Sequence, residues 1–500
     1  MLSLAAAALF QAKSRPNIVM IFSDDHGRQA ISAYGPKLIS TPEIDRLARE
    51  GVRFDRHYTT NPLCAPSRAS LLTGKYSHVN GMKDNASTFD GSQETFPKLL
   101  QAAGYRTAVI GKWHLVSNPT GFNDWEVLPG QGDYYNPAFL TPTGKVVEHG
   151  YVTEIITNKV LNWLGQQKGK PFFLLVGHKA PHRNWMPGPR QMTLFSDRIF
   201  PEPATLRTDY ASLTTAAKTV KMRLDKNIRL AEDLMVDYVP PRMDANQRAA
   251  WKKAMAPQDA AYHRRLAETG DLLGTNYQRY LQEYLRCVAG IDESVGQIYG
   301  YLKKKKLLEN TVVIYASDQG FFLGENAWYD KRWFYEPSSG TPLLIRPAGG
   351  AKAARAVTSL TTNIDLAPTF LELAGVTPPK AMQGNSLAPF LGGRGGVTGK
   401  SAVYGHFYES DDGDHQAPKY VAITTERHKL IYYYELNEWE LFDLSQDTHE
   451  TRNLWLSGVT RPVRAELVRK LLANMHQLKE DPDLIRQVEA AAKRVGAGSK

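Results

Sequence analysis

The sequence predicts an α/β fold, and three observations predict it: unbroken apolar runs of strand length, polar clusters that begin where several runs end, and helix signals between them. The run at 17–22 passes from Asn17 through Ile18, Val19, Met20 and Ile21 to Phe22 without polar alternation, the pattern of a strand buried on both faces of a parallel sheet. It leads into Ser23, Asp24, Asp25, His26 and Gly27. A helix is expected next, with Thr41 as N-cap, Pro42 at the first position, Ile44, Leu47 and Ala48 on one face, and Gly51 at the close.

Runs of the same kind lie at 107–110, 172–176, 312–316 and 342–345, and the first three open directly on polar clusters at 111–114, 177–182 and 317–320. In open α/β sheets ligands bind beyond the carboxyl ends of the strands, so clusters far apart in sequence are expected to meet in one site. Residues 187–275 are polar, basic and Pro-punctuated and read as an irregular insertion; 277–306 reads as a helix. A Gly-rich linker is expected at 392–400, with a smaller α+β unit at 401–500 beyond it. There, 420–424 and 429–434 are strand-like and 463–478 is helical.

A chain of 500 residues that is 42% hydrophobic and 10% aromatic can bury a large core in two or more domains. No apolar run reaches membrane-spanning length, which predicts a soluble protein with no integral membrane segment. The excess of 61 Lys and Arg over 51 Asp and Glu favours anionic partners without choosing among them. No nucleic-acid motif is present. The densest basic run, Lys303 to Lys306, ends an expected helix, where the dipole favours cations. Residues 2–9 have the apolar centre of a signal peptide but no basic start, so 1–13 reads as a partial signal peptide, cleaved near Ala12, that directs the chain to the periplasm or the exterior. Two cysteines make no disulfide framework. Cys287 reads as a buried helix residue, which leaves Cys64 to be explained.

Cys64 is followed by Ala65, Pro66, Ser67 and Arg68, and then by Ala69, Ser70, Leu71, Leu72, Thr73 and Gly74. A lone cysteine is most often a small core hydrophobe. Here Pro66 opens a helix and places Cys64 at its positive end. Asp24 and Asp25 end one expected strand, and Asp318 and Gln319 end another. Asp pairs commonly cap helices, but four oxygen-bearing groups beside one site suit a hard cation such as Ca2+. His114, taken singly, could equally be a satisfied core residue, and His182 and Lys331 surface residues.

The 64–74 segment resembles the type I sulfatase signature, in which a formylglycine-generating enzyme oxidises the cysteine. Gly111, Lys112, Trp113 and His114 are similar to that family's Gly-Lys-Trp-His segment, and 178–183 and 330–336 are similar to further sulfatase segments. The resemblance covers nearly the whole chain and implies an alkaline-phosphatase-like fold, a central mixed β-sheet flanked by helices with a smaller α+β C-terminal domain, in which 14–391 is the catalytic domain. It also implies sulfate-ester hydrolysis by formylglycine at position 64, whose hydrated aldehyde carries one hydroxyl to attack sulfur and another to expel the sulfate. Asp24, Asp25, Asp318 and Gln319, together with residue 64, would hold Ca2+; Lys112 and Lys331 would bind the sulfate; His114 would take a proton from the nucleophile, and His182 would protonate the leaving oxygen; Arg68 would steady the hydrate and the metal-site carboxylates. Segments 178–187 and 280–295 are most similar to the N-acetylglucosamine-6-sulfatase and mucin-desulfating branch, which implies a sulfated carbohydrate substrate. Departures at Asn326 and at 337–340 are expected near the mouth of the site. Other sulfated sugars, such as 2-O-sulfated uronate or 6-O-sulfated galactose, a phosphate-ester or phosphonate hydrolase on the same fold, and a sulfated-glycan binding protein that never matures Cys64 are the alternatives.

Overall fold

A computed structural model describes residues 15–35, 38–392, 398–409, 415–457 and 460–494. The expected leader at 1–13 and the centre of the expected Gly-rich linker, 393–397, lie outside the described residues. Among those residues the main sheet runs through β1 (Asn17–Ser23), β2 (Val52–Phe54), β3 (Arg106–Lys112), β4 (Asp124–Leu128), β5 (Ala138–Thr141), β6 (Gly144–Val147), β7 (Phe172–Gly177), β8 (Thr311–Ser317), β9 (Leu343–Arg346) and β10 (Arg355–Val357). Their spatial order is β10-β2-β9-β8-β1-β7-β3-β4-β5-β6. The central strands β8, β1, β7, β3 and β4 are parallel. β9 runs antiparallel between β8 and β2, which makes the sheet mixed.

The unbroken apolar run of β1 has its physical reason in two cores. Val19 and Ile21 point into one, packed by α3 (Val152–Gly165) and α5 (Leu272–Lys304). Ile18, Met20 and Phe22 point into the other, packed by α2 (Cys64–Thr73) and α6 (Leu366–Leu373). α1 (Pro42–Arg49) forms behind Thr41 as expected and buries Ile44 and Leu47.

The insertion is not irregular throughout. Residues 245–269 form a 25-residue helix, α4, started by a capping box in which Asp244 and Gln247 exchange hydrogen bonds and ended by Gly270 at φ 63°. Pro257 lies inside it, and its buried face is narrow: Trp251, Met255, Gln258, Asp259 and Tyr262. Polar composition and an internal proline hid a helix whose two ends are well marked.

The C-terminal domain carries a separate antiparallel sheet, β11 (Val403–Phe407), β12 (Tyr420–Thr424), β13 (His428–Tyr433) and β14 (Glu438–Asp443). One face, with Phe407, Tyr420, Ile431 and Phe442, joins the first core of the main domain. The other, with Val421, Ile423, Leu430 and Leu441, is covered by α7 (Arg461–Leu478) and by α8 (Pro482–Arg494), a helix the sequence pattern did not bring out. No helix among the described residues is long and apolar enough to cross a membrane.

The strand ends meet closely because of two glycines. Gly111 and Gly177 are register partners across β3 and β7. A Cβ on Gly111 would fall 2.0 Å from the Gly177 carbonyl oxygen, and one on Gly177 would fall 2.4 Å from the Lys112 carbonyl oxygen. Gly111 also has φ 104°, where a side chain strains the backbone. Gly111→Ala is therefore expected to lower unfolding stability by about 3 kcal/mol, read from the denaturant midpoint. Gly104→Ala, with φ 89° but nothing within 4 Å of its Cβ, is expected to cost only about 1 kcal/mol.

Candidate functional site

Cys64 is the first residue of α2, behind Leu63 in extended conformation, and it is fully buried. Its Sγ lies 3.4 Å from Gln319 Nε2, and Asp24, Cys64 and His182 bring one ligand atom each within 4.8 Å of one another. Burial, and then the nearby Asp24 carboxylate, push the thiol pKa up. The unmodified side chain is a neutral thiol and a poor nucleophile.

Asp24 and Asp25 leave the end of β1, and Asp318 leaves the end of the adjacent parallel β8, so the three carboxylates converge within 4.8 Å. The turn is over-determined. Asp25 adopts φ 66°. Its backbone N–H donates to Asp318 Oδ1 at 3.1 Å, and its carbonyl accepts from the Tyr284 hydroxyl at 2.7 Å. Tyr284 accepts in turn from the Gly27 N–H. Gly320 packs with no room for a side chain against the backbone of 337–340, so the turn formed by 337–340 is the bed of the Asp318–Gln319 loop. Asn326, expected near the mouth, is buried, its N–H on Thr205 Oγ1 and its carbonyl accepting from Tyr210.

Three cations face these carboxylates. Lys112 Nζ pairs with Asp24 and also donates to Gln131 Oε1 at 2.5 Å. Lys331 Nζ donates to Asp25 Oδ2 at 2.6 Å. Arg68 reaches Asp318 through Nε at 3.1 Å and another guanidinium nitrogen at 2.9 Å, and donates to the Lys112 carbonyl at 3.0 Å. Burial would raise the Asp24 pKa, but Lys112 above all, with Arg68, holds it well below the usual carboxylate range. Burial raises Asp25 to about 6 against the pull of Lys331, with Asp24 adding to the rise. Asp318 is raised as well, by burial and then Asp24.

His182 Nε2 lies 3.7 Å from Asp25 Oδ2, and its Nδ1 bonds to the Arg183 carbonyl. Burial, then Lys112 and Lys331, keep its imidazole neutral. His114, in left-handed backbone at φ 57°, feels the same charges; burial and Lys112 lower its pKa to about 2, and its Nδ1 has no hydrogen-bond partner among the described residues. His178 is a core residue bonded to Ser294 at 3.1 Å.

Direct contacts thus join Asp24, Asp25, Cys64, Arg68, Lys112, His182, Asp318, Gln319 and Lys331, while His114 shares their electrostatic field. The sequence reading missed Gln131, whose signal is the tight turn between Gly130 and Gly132, and Tyr284, which belongs to a Tyr277, Tyr280, Tyr284 stripe at helical spacing. It also assigned no role to Asp330, which receives Arg332 on one oxygen and lies 3.2 Å from His415 on the other.

The oxygen set fits a hard dication. Asp24 Oδ1 and Gln319 Oε1 are buried without a hydrogen-bond partner among the described residues, in a cluster of three carboxylates. Calcium is therefore expected to raise the thermal midpoint, and Asp318→Ala to abolish most of that rise. The pH dependence has a definite sign. A carboxyl raised from 3.8 to about 6 stabilises below the lower value and loses that contribution as pH climbs through the upper one. Chelated protein should lose stability between pH 4 and 6 relative to calcium-loaded protein; parallel melting curves with and without calcium across that range measure the difference.

Residues 16–376 match the family described as Sulfatase, and residues 324–480 match that described as N-sulphoglucosamine sulphohydrolase, C-terminal. The chain is 43% identical over 506 residues to an N-acetylglucosamine-6-O-sulfatase of Bacteroides thetaiotaomicron, covering 96% of this chain and 90% of that one. It is 29% identical over 420 residues to an N-acetylglucosamine-6-sulfatase of Homo sapiens, covering 78% and 66%. A solved structure described as a complex with its substrate D-glucosamine-2-N,6-O-disulfate superposes with a TM-score of 0.90 at 43% identity, covering 94% of this chain and 99% of that one.

Proposed function

The chain belongs to the sulfatase family and is a sulfuric ester hydrolase, and from that premise we propose that it removes the 6-O-sulfate of N-acetylglucosamine in glycosaminoglycan or mucin glycans, using formylglycine made from Cys64 and one Ca2+. The observation that carries the reading is Cys64 itself. It sits at a helix N-terminus among metal-type carboxylates and two lysines, yet as a thiol it is held neutral, so the site calls for conversion to an oxygen nucleophile. The names of the relatives at 43% and 29% identity support the sugar.

Asp24, Asp25, Asp318 and Gln319, beside residue 64, would hold the calcium ion. When bound, such an ion polarises a sulfate oxygen and favours ionisation of an adjacent hydroxyl. Formylglycine, as its hydrate, supplies that hydroxyl and a second one, which splits the hydrolysis into two steps. Arg68 ties α2 to the Asp318 loop and to the end of β3 through a fork that lysine could not copy. Lys112 and Lys331 would bind the sulfate oxygens. His114, neutral with an unengaged nitrogen, would accept a proton.

His182 would protonate the leaving sugar oxygen. Its imidazole is neutral at rest, but an incoming sulfate ester sets negative charge against Lys112 and Lys331, the two charges that help keep it so. A formylglycine-generating enzyme is the required maturation partner, and the apolar run at 2–9 supports a periplasmic or secreted location.

Cys64→Ala and Cys64→Ser, produced in a maturation-competent host, should lose turnover by several orders of magnitude while keeping the wild-type melting profile; multiple turnovers by the serine variant near the wild-type rate would refute the mechanism. Mass spectrometry of the wild-type tryptic peptide containing residue 64 should show the aldehyde. A sugar alkoxide leaves only when protonated, whereas nitrophenolate leaves unaided. His182→Ala should therefore lower kcat/KM toward 6-O-sulfated N-acetylglucosamine by about 10²- to 10⁴-fold and toward nitrophenyl sulfate far less. Measured on defined sulfated sugars, a wild-type preference for 2-O-sulfated uronate or 6-O-sulfated galactose would overturn the sugar assignment and leave the sulfatase reading standing.

A further inference from the structure

Beside the turn that carries His182 lies a cavity of about 160 Å³ that none of the steps above uses. Tyr134, Tyr135, Met186 and Tyr238 contribute to its walls, and Lys179 faces into it. Lys179 is only 5% exposed. Its Nζ donates to the Gln131 carbonyl at 3.2 Å and sits 4.8 Å from the centre of the Tyr134 ring, and it forms no ion pair with a carboxylate among the described residues. Asp133 also lines the cavity, but Arg242 on the same rim takes it at 3.3 Å. The lining therefore carries one uncompensated positive charge, and burial, then Lys112, lower the pKa of that ammonium to about 8.

The cavity is coupled to the reaction site on two sides. The His182 N–H donates to the Lys179 carbonyl at 3.0 Å, and the Tyr134 hydroxyl donates to the His182 carbonyl at 2.7 Å. Gln131, which accepts from Lys179 through its backbone, accepts from Lys112 through its side chain. The cavity thus adjoins the leaving-group side of the proposed reaction. A buried cation beside aromatic walls suits an anion carried on a sugar, since the rings can pack on the sugar while the ammonium pairs with the charge.

We propose that this cavity is a subsite for a second anionic group of the glycan, a sulfate or a carboxylate, paired with Lys179. The proposal rests on the sulfated-sugar reading above and adds a requirement on the substrate beyond the sulfate that is removed. Its test is binding to the calcium-loaded Cys64→Ala protein by calorimetry, with three ligands: 6-O-sulfated N-acetylglucosamine, its N-sulfated counterpart, and a disaccharide joining 6-O-sulfated N-acetylglucosamine to a uronate. One of the two ligands with a second charge should bind at least about tenfold more tightly than the first, and which one does so identifies the group as sulfate or carboxylate. Adding Lys179→Gln should remove that difference, and adding Lys179→Arg should retain part of it. Equal affinities for all three ligands, which needs no lysine variant to observe, would overturn the proposal, as would a difference that persists in Lys179→Gln. Sulfate release by the Cys64→Ala protein would instead count against the mechanism while leaving the subsite result intact.

Discussion

The convergence of Asp24, Asp25 and Asp318 is the constraint on which the rest of the site depends. Three carboxylates buried within 4.8 Å of one another repel, and no fold tolerates that without compensation. Here it comes from Lys112, Lys331 and Arg68, each brought from a different segment, while burial still raises Asp25 and Asp318. On the proposed function the carboxylates would hold the metal ion, and the cations that offset them are the ones an anionic substrate would meet. Metal binding and sulfate binding would then be two uses of one charge balance.

That balance is held by backbone geometry more than by side-chain fit. Parallel pairing in register, Ser23 opposite Ser317, sets the Asp24–Asp25 turn beside Asp318, and the Asp25 N–H closes the gap by bonding to the Asp318 carboxylate. The Gly111–Gly177 approach brings the ends of β3 and β7 together, so Lys112 and the 178–182 turn arrive on the same side. Tyr284, from the middle of a 33-residue helix, locks Asp25 in a left-handed conformation that its own sequence neighbours would not enforce. Rigid strands and a long helix supply the precision that short polar loops lack.

What could be read from the sequence follows from the range of each signal. The central strands were legible because burial on both faces leaves unbroken apolar runs, and their ends were legible because polar clusters start there. The direction of β9 was not, since a buried antiparallel strand has the same apolar signature as a parallel one. Helix α4 was hidden by Pro257 and a narrow buried face, although Asp244 and Gly270 mark its ends. Nine of the ten expected site residues are joined by direct contacts, since each sits in a short motif at a strand or helix end. Gln131, Tyr284 and Lys179 act through contacts set by tertiary packing, about which local spacing says little. Asn326 is a buried structural residue, and 337–340 supports the Asp318–Gln319 loop from beneath, because Gly320 can approach it without a side chain.

The C-terminal domain belongs to the same argument. Lys331 lies between Asp330 and Arg332, both in left-handed backbone at φ 76° and 85°, a conformation that local preference does not supply. The C-terminal chain supplies it. Tyr420 on β12 donates to the Arg332 carbonyl at 2.6 Å, and His415 reaches Asp330. Farther along, Glu336 is tied to Lys429 of β13, which is itself buried against Glu450. The segment that points Lys331 at Asp25 is thus clamped on its far side by the small domain, which explains why one face of that domain's sheet is built into the core of the large one. Removing the small domain would not merely trim the fold. It would release the backbone that holds one of the three cations in place, and with it the balance on which the carboxylate cluster stands.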